Sequence, residues 1–173
     1  MIFVGGIHGV GKSHFCEIVK NELSIKNYSA SCLIARGRNK GFNANKLVSD
    51  IDENQLFLVA AVNELRRSEE EFILDGHFCL LNSEGVISKV PLCIFALLMP
   101  DMMVLLTESP EVIADRRWKR DHVRQDVSEI KDFQDAEKKY AKEIAMQLSI
   151  PLEISRGGDD LVRILDCIRM GGR

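Results

Sequence analysis

Gly6-Ile7-His8-Gly9-Val10-Gly11-Lys12-Ser13 fits the spacing G-x-x-x-x-G-K-[ST] without a mismatch. Those residue types at that spacing bind phosphate. Glycines let the backbone curl round an anion and aim several N–H groups at it. A helix opening at the motif adds the positive end of its dipole at the same point. Lys12 can reach the β- and γ-phosphates, and the Ser13 hydroxyl can join the coordination shell of Mg²⁺. The stretch reads as a P-loop for ATP and Mg²⁺, with Gly6, His8, Gly9, Val10, Gly11, Lys12, Ser13 and His14 around the nucleotide.

Two further groups of residues decide what happens to the γ-phosphate. "FILDGHF" ends an apolar run on Asp75, where a carboxylate can hold Mg²⁺ through water, although an Asp-Gly pair also favours a turn on its own. His77 either touches an acceptor or is satisfied by backbone contacts. "ADRRWKRDHVRQD" concentrates Arg116, Arg117, Lys119, Arg120 and Arg124. Arginines closing over a transferring phosphoryl group stabilise its charge, whereas such a run can also be a solvated helix end. Arg117 and Arg120, three apart, share a helix face, as do Arg120 and Arg124. Trp118 lies among them and reads as a packing residue.

The elements needed to position these residues are legible as apolar runs alternating with helical stripes. Strands are expected at residues 1–4, 31–35, 72–76, 102–108 and 150–155. Helices are expected at 12–25, along the stripe Ile51-Leu58-Val62-Leu65, at 91–100, from the N-cap Ser109-Pro110-Glu111 to about 121, at 128–148 and at 159–170. Strands alternating with helices give an α/β fold, a parallel sheet covered on both faces. Ligands of such sheets bind beyond the carboxyl ends of the strands, where the P-loop and Asp75 then meet. The polar stretches 36–46 and 77–90 read as long loops with functional roles.

The 173 residues suit one domain, and 46% hydrophobic with 28% charged residues describe an ordinary globular chain. A net charge of -3 argues against general nucleic-acid binding. No apolar run approaches the length of a membrane span. Five scattered cysteines in apolar stretches read as buried, reduced thiols, and the expected location is the cytoplasm.

The P-loop after the first strand, "LDGHF" after the third and the arginine-rich segment after the fourth resemble nucleoside monophosphate kinases, most closely the archaeal type of adenylate kinase. The glutamine-bearing "DIDENQLFLVAAVNEL" and "VPLCIFALLMPDMMVLL" extend the resemblance over roughly residues 1–168. It implies a five-stranded core in the order 2-3-1-4-5 and ATP-Mg²⁺ as donor, held by the P-loop with Ser13 and Asp75 on the metal. It also implies an acceptor-binding insertion at about 36–70, and a lid at about 117–126 carrying Arg117, Arg120 and Arg124. The loop after the fifth strand, with Arg156 and Gly157, would touch adenine through its backbone. Acceptor contacts would come from Arg36, Arg38, Lys46 and His77. That family places an acceptor-phosphate arginine near a Lys-Leu pair, and here Lys46-Leu47 has none beside it.

The expected function is a phosphotransferase passing the ATP γ-phosphate to a small acceptor, a nucleotide before a sugar or other metabolite. An ATP-binding regulatory subunit that switches a protein partner is the second reading, and a simple ATPase the third. Self-association is left open by the sequence.

Overall fold

The computed structural model describes residues 1–39, 53–82, 84–122, 124–156 and 158–171. A five-stranded parallel sheet runs in the order β2-β3-β1-β6-β7. Its strands are β1 (Ile2–Gly5), β2 (Lys26–Ser29), β3 (Phe72–Asp75), β6 (Met102–Leu106) and β7 (Leu152–Ser155). Every residue of β1 and β6 is buried, so both faces of the sheet centre are covered. The covering helices are α1 (Lys12–Leu23), α2 (Ala30–Asn39), α3 (Glu53–Leu65), α4 (Leu92–Leu98), α5 (Pro110–Asp121), α6 (Val127–Leu148) and α7 (Leu161–Gly171). The α/β class expected from the alternating pattern is the class observed.

Two elements differ from the sequence expectation. Residues 31–35 belong to α2, and the second strand is Lys26–Ser29. Buried Leu33 and Gly37 and half-buried Ala30 and Ile34 fall on one helical stripe, a period a strand cannot use. The true strand lies on the sheet edge with polar, half-open residues and carries no apolar run to announce it. The loop expected at 77–90 contains a hairpin, β4 (Cys79–Leu81) paired antiparallel with β5 (Ile87–Lys89). Its turn is closed by Asn82 Oδ1, which accepts from the N–H groups of Glu84 (3.0 Å) and Val86 (2.8 Å). These two strands intervene in chain order between the third and fourth strands of the main sheet, so its numbering departs from 2-3-1-4-5.

Register aligns the carboxyl ends of the strands. Asp75 pairs with Val4 of β1 on one side and with Ser29 of β2 on the other. Gly76 N donates to Val4 O at 3.0 Å, extending the ladder one step past Asp75. Beneath this edge Phe3 meets Phe78 and Phe95 edge-on at 5.0 and 5.3 Å, and Phe78 stacks on Phe95. This aromatic cluster is a rigid floor under the strand ends.

At α5 the expected cap is present, with Ser109 Oγ accepting from Val112 N and Pro110 at the first helical position. All five cysteines are free thiols; Cys16 and Cys79 are buried as expected, but Cys32 and Cys93 are exposed and Cys167 half-buried. Among the described residues no helix is long and apolar enough to cross a membrane.

Candidate active site

Residues 6–11 must turn the chain from a buried strand into a helix. Gly6 (φ +143°) and Gly9 (φ +80°) take backbone conformations that side chains resist. At Gly9 the requirement is doubled, because a Cβ there would stand 3.1 Å from Cγ of Arg117. Lys12, only 9% exposed, turns back under the loop and donates to the carbonyls of Gly6 (2.6 Å) and Ile7 (3.3 Å). Burial lowers its pKa, opposed by the charges of Asp75 and Glu137. Val10 N closes the loop on Ile7 O at 3.3 Å.

Asp75 ends β3 beside this lysine, and its Oδ1 is buried without a hydrogen-bond partner. Burial raises its pKa, while Lys12 and His77 act in the opposite direction. A buried, unsatisfied carboxylate oxygen beside a phosphate loop suits a hard cation. Among the described residues no cluster of three or more His, Cys, Asp or Glu could hold a metal. Mg²⁺ needs none, since it commonly takes one or two carboxylates and draws its other ligands from phosphates and water. Ser13 and Asp75 fit that ion.

The arginines divide. Arg117, 8% exposed, donates from Nε (2.9 Å) and Nη2 (2.6 Å) to His8 O, and its Nη1 bonds Gln125 Oε1. Arg116 donates to Val10 O at 2.9 Å and pairs with Glu108 at 3.1 Å. Arg120 is exposed and held by Asp121, yet borders the same cavity as Arg116. Arg124 lies over the Trp118 ring at 5.2 Å, so that tryptophan, 42% exposed, packs against an arginine outside the core. The segment expected as a lid thus comprises the end of α5 and the link into α6.

A cavity of about 640 Å³ opens over these groups. Its donor end is formed by His8, Gly9, Gly11, Lys12, Ser13, His14, Asp75, Arg116 and Arg120. Its far end is walled by Ile34, Leu58, Leu80, Val90, Phe95 and Leu98, with Ser29, Ser31 and Gln55 as polar points. His77 borders it, ring against His8 with centroids 4.4 Å apart. Partial burial of the His8 ring and the neighbouring His77, Lys12, Arg117 and Arg120 push its pKa down to about 4.

The expected acceptor cations are not brought here. Arg36 lines a separate cavity with Phe57 and Glu64, and Arg38 Nε donates to Asn54 Oδ1 at 2.8 Å. Lys46 and Gly157 lie outside the described residues. Arg156 is exposed off the cavity, its N–H donating to Asp160 Oδ2 at 2.9 Å.

Glu137 escapes the sequence reading. Its side chain is 0% exposed on α6, and Oε1 accepts from Phe78 N (3.0 Å) and Cys79 N (3.2 Å). The available signal is its position on the buried stripe Ile130, Phe133, Tyr140, Ala141 and Ile144, where a carboxylate is out of place.

Fold and phosphate loop together define an α/β P-loop protein. A family model described as an AAA domain matches residues 5–134, three quarters of the chain, and the protein belongs to that family. Its fold is similar to shikimate kinase from Acinetobacter baumannii (TM-score 0.60, 15% identity, 98% of this chain and 92% of that one). It is likewise similar to a gluconokinase from Sinorhizobium meliloti 1021 (0.54, 18%, 99% and 90%) and shikimate kinase from Aquifex aeolicus (0.52, 14%, 98% and 93%). The sequence matches no curated protein.

Proposed function

We propose that the protein is an ATP- and Mg²⁺-dependent phosphotransferase that passes the γ-phosphate to a small acceptor. One observation carries the reading: the cavity that takes in Asp75 and the phosphate loop is also walled by apolar side chains, with a few hydroxyl and amide groups among them. A nucleotide switch needs no such walls. Several solved structures of similar fold carry the names of small-molecule kinases, shikimate kinase and gluconokinase among them.

The loop N–H groups and Lys12 hold the β- and γ-phosphates, and Ser13 with Asp75 holds Mg²⁺. Mg²⁺ held by these two residues would supply charge neutralisation at the phosphates. Arg116 and Arg120 border the donor end, and Arg117 exchanges its loop carbonyl for phosphate oxygens, with Arg124 following as the segment closes and excludes water. His77 meets the acceptor.

A nucleotide remains the acceptor favoured by the likeness to nucleoside monophosphate kinases. Since Arg36 and Arg38 stand off the cavity, its phosphate would rely on Arg116 and Arg120 while its base takes the apolar end. The second reading, a regulatory subunit, is favoured by exposed Leu80, Leu81, Val86 and Ile87 on the hairpin.

The test offers γ-labelled ATP and Mg²⁺ with ribo- and deoxyribonucleoside monophosphates, shikimate and gluconate, using Lys12→Ala as control. Labelled product that vanishes in the control supports a kinase and names its acceptor. Tight ATP binding without product from any acceptor turns the assignment to the regulatory subunit.

A further inference from the structure

The loop after β3 carries Asp75 and His77, yet what seats it comes from a distant helix. Glu137 of α6 reaches under the loop and takes two consecutive N–H groups, Phe78 at 3.0 Å and Cys79 at 3.2 Å, on Oε1 alone. The same Oε1 lies 3.6 Å from His77 Nδ1, within ion-pair range and just beyond a hydrogen bond. Both His77 Nδ1 and Glu137 Oε2 are buried without a hydrogen-bond partner.

A buried carboxylate facing a ring nitrogen, both incompletely satisfied, is costly. The backbone anchor on Oε1 accounts for one oxygen, and it leaves Oε2 and the facing His77 Nδ1 without hydrogen-bond partners. We propose that Glu137 is a positioning residue of the phosphate site, turning the His77 imidazole so that Nδ1 faces the carboxylate and the opposite ring edge serves the cavity. The arrangement extends further: the His77 ring rests on His8 at 4.4 Å, and His8 offers its carbonyl to Arg117. Glu137 therefore sets, through one ring, both the acceptor side of the cavity and the crest of the phosphate loop. This role rests on the proposed phosphotransferase reading only for its consequence in catalysis, and the ring geometry can be tested without it.

The experiment is a long-range ¹H–¹⁵N spectrum of the histidine rings of the full chain at neutral pH, for wild type and Glu137→Gln. The amide oxygen of glutamine keeps the acceptor for Phe78 and Cys79, so the fold should survive. In the wild type His77 is expected to carry its proton on Nδ1, the nitrogen facing Glu137. In the variant a neutral amide oxygen, a weaker acceptor than the carboxylate, faces Nδ1, so the share of His77 protonated on Nδ1 should fall and the His8 signals should shift with it. Titration of both proteins with a fluorescent ADP analogue and Mg²⁺ should show weaker binding in the variant by about tenfold, the scale of lost outer-shell support. A His77→Ala background should remove that tenfold difference.

A wild-type His77 protonated on Nε2 overturns the proposal even if the variant fails to fold. So does a folded variant whose His77 and His8 signals match the wild type. If the protein binds no ADP and transfers no phosphate, the functional reading falls while the ring spectra still decide the role of Glu137.

Discussion

Arg117 Nε and Nη2 both donate to the carbonyl of His8, at 2.9 and 2.6 Å, joining the start of the expected lid to the crest of the phosphate loop. Two donors in a rigid fork converge on one acceptor, a geometry lysine cannot copy. The third arm reaches Gln125 Oε1, two residues before α6 begins. The loop carbonyl and Gln125 thus occupy a guanidinium whose fork also suits phosphate.

Arg117→Lys keeps the charge and loses the fork. The expected result is a fall in kcat of about 10³-fold, the lower range for an arginine acting on a transferring phosphoryl group, with the KM for ATP changed only a few-fold. Steady-state phosphotransfer with the acceptor from the screen measures both. Equal kcat in the two proteins would remove Arg117 from the chemistry and leave it a strut.

Gly9→Ala tests the same contact from the loop side. The backbone at φ +80° is strained for alanine, and the new Cβ would press on Arg117 Cγ at 3.1 Å. Loss of about 1–2 kcal/mol in urea unfolding is expected from the backbone alone. Nucleotide affinity should fall as well, since the arginine is displaced. An alanine variant as stable as wild type would mean that the loop relaxes freely.

How much of this site is legible in the sequence depends on whether a residue's neighbours in space are also its neighbours in the chain. Lys12, Ser13 and the glycines are local, so spacing alone identifies them. Asp75 is legible because an apolar strand carries it to the carboxyl end of the sheet, and Ser109 because a cap is a local device. Arg36 and Arg38 look like acceptor ligands in a polar loop, but the helical stripe through Leu33 and Gly37 turns that stretch into α2 and carries them off the cavity. The edge strand Lys26–Ser29 has no apolar alternation to detect. Glu137 lies 60 residues from His77 in the chain, and only packing shows that its buried position faces the phosphate loop.

Acid stability should follow His8. Its folded-state pKa is pushed down to about 4, mainly by partial burial of the ring, from an ordinary value of 6.5. Between those values the unfolded chain takes up a proton that the folded chain refuses, so folding stability falls as pH drops from about 6.5 toward 4. Above 6.5 the group contributes no pH dependence. Unfolding midpoints of wild type and His8→Asn at pH 7, 5.5 and 4.5 check this, with the wild type losing more across the series. Parallel curves would assign the acid sensitivity to other groups.

Asp75 presents the opposite sign and a conflict between stability and function. Its folded-state pKa is raised above 3.8, chiefly by burial, so the ionised form disfavours the folded state. That cost begins above pH 3.8 and is complete once pH has passed the raised value. Asp75→Asn removes the charge while keeping the shape. Without ligand the variant should be more stable at pH 7 than the wild type, read as a higher Tm. Adding ATP with Mg²⁺ should then raise the wild-type Tm and barely move the variant, because the carboxylate that would share the ion is gone. The remaining phosphate contacts through Lys12 and the loop N–H groups should let the variant bind ATP without Mg²⁺ at near wild-type strength. A variant that is less stable, and that still gains stability from Mg²⁺, would show that Asp75 serves only the turn with Gly76.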